Sequence, residues 1–246
     1  MNILVCISKV PDTTSKIQFV DNGTKFDTNG VQFIINPYDE WYALVRALEL
    51  KEANGGEVVV VNVGPAANDA IIRKALAIGA DRAVRIDFDP QDSYSTAKQI
   101  AAYAEGKNFD MILCGKETID YNSGMVPGMI ASMLDLPYTG VSMKLDVSGS
   151  TATVEREVAG GTEVIEANMP FVLSAAKGMA EQRIPNMRGI MMARKKPLEV
   201  VPPVPVEPLV TVNNYELPPA KTECKYIDPD NMEELARLLR EEAKVI

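Results

Sequence analysis

Apolar residues along this chain fall into two patterns, short continuous runs and stretches at helical spacing, and the two alternate. Residues 2–8, NILVCIS, form a continuous run of the kind found in a parallel sheet covered on both faces. KVPDTTSK at 9–16 reads as a loop. Residues 17–35 hold β-like pieces, Ile17 to Val20 and Val31 to Ile35, around the turn signals Asp21-Asn22-Gly23 and Asn29-Gly30, and predict a small excursion at the sheet rim. A well-marked helix follows: Asn36 suits its cap, Pro37 its first position, Asp39 and Glu40 its positive first turn, and Gly55 or Gly56 its end. Trp41, Leu44, Val45 and Leu48 form its apolar stripe, which predicts Trp41 in the core.

The alternation continues with a strand at 57–63, a helix at about 67–79, a strand at 82–88, a helix from Ser93 to Glu105 and a strand at 110–114. Strands and helices alternating at this spacing predict right-handed crossovers and a doubly wound, mostly parallel α/β sheet of the Rossmann type. Beyond a helix at 123–134 the rhythm changes to alternating segments at 139–147, 150–158 and 162–168, which predict an antiparallel β extension, and Phe171 to Ala175 reads as a return to the main sheet.

Residues 110–126, DMILCGKETIDYNSGMV, are the junction of greatest chemical interest. A buried strand breaks at Gly115, a polar loop follows, and a helix opens near Ser123, so the loop lies where open α/β sheets bind ligands and where a helix start attracts an anion. The loops after Ser8 and at Gly64-Pro65 converge on the same rim, with Asn36 to Asp39 beside them. Neither GxGxxG nor GxxxxGK[ST] occurs, so the crevice suits an anion without a diagnostic phosphate motif.

Residues 177–198 concentrate Arg183, Arg188, Arg194, Lys195 and Lys196 with no acid after Glu181, alongside Met179, Met187, Met191 and Met192. From 197 to 219, seven of 23 residues are proline, which predicts a stiff arm without a core of its own. A helix at 229–244, with Asp228 as its cap and Met232, Leu235, Leu238 and Leu239 on one stripe, ends the chain and invites a partner.

Composition removes several function classes. The 246 residues contain no histidine, which excludes Ser-His-Asp and Cys-His systems and any His-ligated metal. Cys6, Cys114 and Cys224 have no close pair, and the first two sit in apolar strands as small buried hydrophobes. A net charge of −9 argues against nucleic acid as the main partner. No apolar run reaches the ~18 residues of a membrane helix, so the expectation is a cytoplasmic protein, or the mature form of a matrix protein, without membrane insertion. These features favour a binder or carrier over a catalyst. A free-standing nucleotide-binding or stress-type α/β module, and an adenylate hydrolase using Asp120 or Lys116, are the alternatives from other classes.

Several blocks, in order, resemble the β subunit of electron-transfer flavoprotein: VCISKVPD, INPYDEWYALVRALELK, VNVGPAAND, RKALAIGADRAV, LCGKETID, VEREVAGGTE and EQRIPNMRGIMMARKKPLE. The resemblance implies a heterodimer with an α subunit that holds most of a redox-active FAD, and a β crevice that binds AMP, or a second FAD in electron-bifurcating members. Such a pair accepts electrons from acyl-CoA or other dehydrogenases and passes them to a quinone reductase or another acceptor. Nucleotide contacts then fall on Cys6, on Asn36, Pro37, Tyr38 and Asp39, on Val63, and on the opening loop of Gly115, Lys116, Ile119, Asp120, Tyr121, Asn122, Ser123, Gly124, Met125 and Val126. Tyr38 matches an aromatic position near the α-subunit flavin. Met187 matches the docking leucine that inserts into dehydrogenases, flanked by Arg183 and Arg188. The chain leaves the family's usual text at Gln182, at Arg188-Gly189 and from Tyr121 to Met125. On this basis residues 1–198 form the nucleotide-binding domain, with a β extension at 139–168 and a docking loop at 177–196, and 199–246 form an arm that packs on the partner subunit.

Overall fold

The computed structural model describes residues 1–221 and 223–246. In chain order the first half comprises β1 (Asn2–Cys6), β2 (Lys9–Pro11), β3 (Phe19–Val20), β4 (Lys25–Phe26), β5 (Phe33–Ile35), α1 (Asp39–Asn54), β6 (Glu57–Val63), α2 (Asp69–Ile78), β7 (Arg82–Ile86), α3 (Ser93–Ala104), β8 (Met111–Gly115) and α4 (Val126–Leu134). The second half adds β9 (Tyr138–Ser148), β10 (Thr151–Val158), β11 (Gly161–Asn168), β12 (Phe171–Ala175), α5 (Met187–Ala193), β13 (Leu198–Val201) and α6 (Met232–Glu241).

One sheet runs in the order β11-β10-β9-β12-β8-β1-β6-β7-β13. The strands from β12 to β13 are parallel to their neighbours, and β9, β10 and β11 extend the sheet as an antiparallel meander. The expected doubly wound sheet and its antiparallel extension are both present. From β1 the chain steps through β6 to β7, then crosses back to β8 on the other side of β1. The switch point, where successive loops diverge and leave a crevice, therefore lies between the carboxyl ends of β1 and β8.

Each face of the sheet carries its own core. Ile3, Val5, Val58, Val60 and Leu113 pack under α1 and α2, while Leu4, Val59, Val61, Ile112 and Cys114 pack under α3 and α4. Consecutive strand residues point to opposite faces, so an apolar run such as ILVC is what a strand buried on both sides requires. Trp41 is buried in the first cluster, as its place on the stripe of α1 predicts.

Several local expectations are corrected. Asn36 does not cap α1: Tyr38 occupies that position with no side-chain cap bond, because the Asn36 amide is committed to another segment. Part of the expected loop at 9–16 forms β2, which pairs with β5 in a small ribbon. The helix expected from Ser123 starts at Val126. The final helix is capped by Asn231, whose Oδ1 accepts from Glu234 N at 3.2 Å, rather than by Asp228. The basic stretch contains a short helix, α5, that the sequence did not announce.

The largest difference concerns the proline arm. Its first residues form β13, which pairs with β7 and completes the sheet edge. Beyond it the chain runs along α3 toward the carboxyl-end rim of the sheet. Gln99 exchanges two bonds with the backbone of Val204, and Asp92, the cap of α3, accepts from Leu209 N and Val210 N through Oδ2. The Tyr215 ring then stacks on Phe19 with centroids 5.0 Å apart, and its N–H donates to Gly23 O.

Candidate functional site

Three loops leave the carboxyl ends of β1, β6 and β8, and hydrogen bonds join them into one rim. The Asn36 amide spans to the opening loop, donating from Nδ2 to Glu117 O and accepting from Ile119 N through Oδ1, both at 2.9 Å. Asn62 donates to Ile7 O and accepts from Asn68, which ties the loop after β6 to the loop after β1. Arg85, buried beneath, donates to Gly64 O at 3.0 Å and pairs with Asp87, and its Nε lies 2.8 Å from Asp69 Oδ1 without hydrogen-bonding alignment. Buried amides used in this way hold irregular backbone in one conformation, because each bond broken would leave a polar group unpaired.

Glu40, in the first turn of α1, is at the centre of the rim. The residue is 6% exposed; its Oε2 accepts from the Ser8 backbone N–H at 2.6 Å and its Oε1 lies 2.7 Å from the Ser8 hydroxyl oxygen. A Cβ on Gly115 would lie 2.7 Å from Glu40 Cγ and 3.0 Å from Glu40 N, so only glycine lets β8 pass this close to α1. Burial pushes the Glu40 pKa up to about 8 against the lowering effect of the Ser8 bonds, with Asp120 and Asp39 raising it further.

The expected nucleotide residues occupy two levels. Cys6, Asn36 and Val63 are buried and form the floor. Asp39, Lys116 and Ile119 are partly exposed along the wall, where Lys116 Nζ lies 2.9 Å from Glu117 Oε1. Burial raises the Asp39 carboxyl, opposed chiefly by the Lys116 charge. A hydrogen bond with the Cys114 thiol, then burial, holds the Cys6 thiol well above its usual range, so it behaves as an uncharged packing group.

Tyr121, Asn122, Gly124 and Met125 are exposed at the mouth. Thr118 N donates to Ser123 O, closing this loop on itself, and Ser123 Oγ lies 2.7 Å from Ser93 Oγ at the start of α3. Val126 opens α4, whose first-turn N–H groups have no partners within the helix and offer the positive end of its dipole. The phenol of Tyr121 sits 3.0 Å from that of Tyr215, so the arm meets the opening loop. Partial desolvation of the phenol, then this contact, raises the Tyr121 pKa.

Tyr38 stands apart. Its φ of 64° and ψ of −88° are unfavourable for a residue with a side chain, yet its ring is 62% exposed. The backbone is held from both sides, by Pro37 and the Asn36 bridge before it and by α1 after it.

The residues expected to dock lie elsewhere, on the α1 and α2 face. Arg183 is clamped: its guanidinium pairs with both oxygens of Glu52, and its carbonyl accepts from Trp41 Nε1 at 3.2 Å. Gly189 packs on α2, where a Cβ would lie 2.4 Å from Ala77 O. Lys196 donates to Leu76 O, Gly79 O and Ala80 O at the end of α2, and Arg73 donates to Ala193 O and Lys196 O at the end of α5. This anchored frame presents Ile184 and Met187, 79% and 75% exposed, with Met191 and Met192 also outward, whereas Met179 is core.

Sequence reasoning missed Glu40, Ser8, Arg85 and Tyr215. As an acid in the first turn Glu40 suits the helix dipole, yet the spacing of 40, 43, 44, 47 and 48 places it on the buried stripe of α1, a signal that an acid there is internal. No comparable signal marked Tyr215.

Comparison with known proteins agrees with this geometry. The family described as "Electron transfer flavoprotein domain" matches residues 23–206. The chain is 38% identical over 260 residues to "Electron transfer flavoprotein subunit beta" of Bacillus subtilis, covering 100% of both chains. It is 38% identical over 223 residues to the protein of that name from Syntrophomonas wolfei, covering 90% of this chain and 87% of the relative. It is 31% identical over 255 residues to that of Homo sapiens, covering 100% of this chain and 99% of the relative. Full-length similarity of this kind, on a sheet whose switch point carries the rim just described, means that the chain belongs to the electron transfer flavoprotein β-subunit family and is an electron-carrier subunit rather than a catalyst.

Proposed function

We propose that this chain pairs with an electron-transfer flavoprotein α subunit and that its switch-point crevice binds an adenine nucleotide, AMP or the adenosine part of a second FAD. The observation that carries this reading is the hydrogen-bonded rim, in which Asn36, Ser8 and Glu40 hold the loops from two sheet strands and one helix start in register. The buried floor of Cys6 and Val63 suits a flat base. Asp39 and Asp120 are acceptors for amine and hydroxyl groups, and the start of α4 with Ser123 offers donors to a phosphate. A flavin bound by the pair supplies the electron chemistry. This chain binds, orients and excludes water.

Tyr38, exposed on strained backbone, is positioned to meet the partner's flavin. A residue is kept in such a conformation only when its surroundings over-determine it, and the pinned segment supplies that constraint. The outward Ile184 and Met187 on their anchored frame serve dehydrogenase docking, with the Arg188 cation beside them and Arg183 as part of the frame. Residues 199–246 serve as the arm toward the α subunit, and a quinone reductase or another acceptor receives the electrons. Co-expression with an α subunit, release of bound nucleotide and a count of FAD and AMP per pair tests the assignment: one FAD and one AMP support the carrier form, two FAD the bifurcating form. A chain that purifies as a stable monomer and cannot pair would overturn it.

A further inference from the structure

Glu40 has a second feature beyond its place in the rim: it is a buried acid that no cation balances among the described residues. Around it stand Asp39 on its own helix, Asp120 on the opening loop, and Cys6 on β1, whose thiol is held well above its usual range by its hydrogen bond with Cys114 and by burial. Lys116 is directed to Glu117 and Asp39, and no ion pair reaches Glu40 among the described residues. β12, FVLSA, offers no titratable side chain, and β6 only Glu57 at its far end. An isolated buried carboxylate is costly, so such a group keeps its proton instead. The pKa of about 8 agrees with this.

The consequence falls on Ser8, which is partly exposed and lies 2.7 Å from Glu40 Oε1. A neutral carboxyl can accept the Ser8 N–H on one oxygen and donate from the other to Ser8 Oγ. The Ser8 hydroxyl hydrogen is then free to point into the crevice. An ionised carboxylate only accepts, so the same hydroxyl must donate to Glu40 and is lost to a ligand.

We propose that Glu40 is a positioning residue that holds its proton and thereby turns the Ser8 hydroxyl into a donor toward an oxygen or ring nitrogen of the bound nucleotide, so that binding is lost as Glu40 ionises. This rests on the adenine-nucleotide reading of the crevice.

Binding of AMP to the full chain at pH 7.0 and 9.5 tests it, since the AMP phosphate, with a second pKa of about 6, does not change charge in that interval. Wild type binds about tenfold more weakly at the higher pH, while Glu40→Gln, which keeps one acceptor and one donor toward Ser8, changes less than about twofold. Ser8→Ala binds more weakly at pH 7.0 and loses the alkaline decline. A wild-type profile as flat as that of Glu40→Gln, or the same decline in both, overturns the proposal.

Infrared difference spectroscopy between the two pH values separates the two ideas without any ligand. A protonated-carboxyl band present in wild type at pH 7.0, absent at 9.5 and absent throughout in Glu40→Gln supports the retained proton, and its absence at pH 7.0 overturns it. If the band behaves as expected but neither AMP nor FAD binds at either pH, the nucleotide reading falls and the proposed role of Ser8 falls with it.

Discussion

At the scale of single residues, the crevice depends on polar side chains placed where water cannot reach. Glu40 makes this measurable through stability. Its folded pKa of about 8 exceeds the value of about 4.3 for an unfolded glutamate, so between those values the folded chain holds a proton that the unfolded chain has lost. Its contribution is therefore complete below the lower value and declines as pH rises to the upper one. Glu40→Gln, which cannot ionise, should melt with wild type near pH 4.5 and at least about 4 °C higher at pH 9, read by thermal denaturation at both. Asn36→Ala should cost about 2 kcal/mol, because Glu117 O and Ile119 N both lose a partly buried partner, and should weaken nucleotide binding. Denaturant unfolding and calorimetry give the two numbers. Asn36 was legible in the sequence as a member of the loop cluster but not in its role there, since a helix-capping asparagine and a loop-bridging one differ only in what the fold brings within reach.

At the scale of elements, helices and strands announce themselves when their periodicity is long. α1 and the parallel strands other than β13 satisfy both local spacing and burial, and the pattern of apolar positions marks them within a few residues. α5 did not, because a seven-residue helix is too short for periodicity to mark and is held by tertiary bonds from Arg73 and Lys196. The same frame predicts how the segment proposed for docking responds to change. Met187→Ala should slow electron transfer from a dehydrogenase partner while shifting stability by less than about 0.5 kcal/mol, since the side chain is 75% exposed. Stopped-flow reduction and thermal melts decide between docking and core. Lys196→Ala, by contrast, leaves the carbonyls at the end of α2 without their donor and should cost about 1–2 kcal/mol.

At the scale of the whole molecule, the arm is part of the domain before it is an arm. Leu198–Val201 closes the sheet beside β7, and Val204, Leu209, Val210 and Tyr215 bind along α3 and the carboxyl-end rim of the sheet. Truncation after Leu198 should expose the edge of β7 and give a destabilised, aggregating product, whereas truncation after Pro219 should leave a folded domain. Size-exclusion chromatography and melting of the two products distinguish a structural edge from a dispensable tail.

The sequence by itself determined the fold class, the order of the layers and the converging loops, because continuous apolar runs and helical stripes are local consequences of which faces must leave water. The ordered blocks from VCISKVPD to EQRIPNMRGIMMARKKPLE likewise carried the family in their residues. Only the tertiary structure decided which polar atoms meet. It paired the Asn36 amide with the opening loop, drew Ser8 onto Glu40 and brought Tyr215 to Tyr121 across 94 positions of chain. Such contacts carry no periodic signal, since hydrogen bonding depends on the distance between two atoms in the folded chain and not on their separation along it.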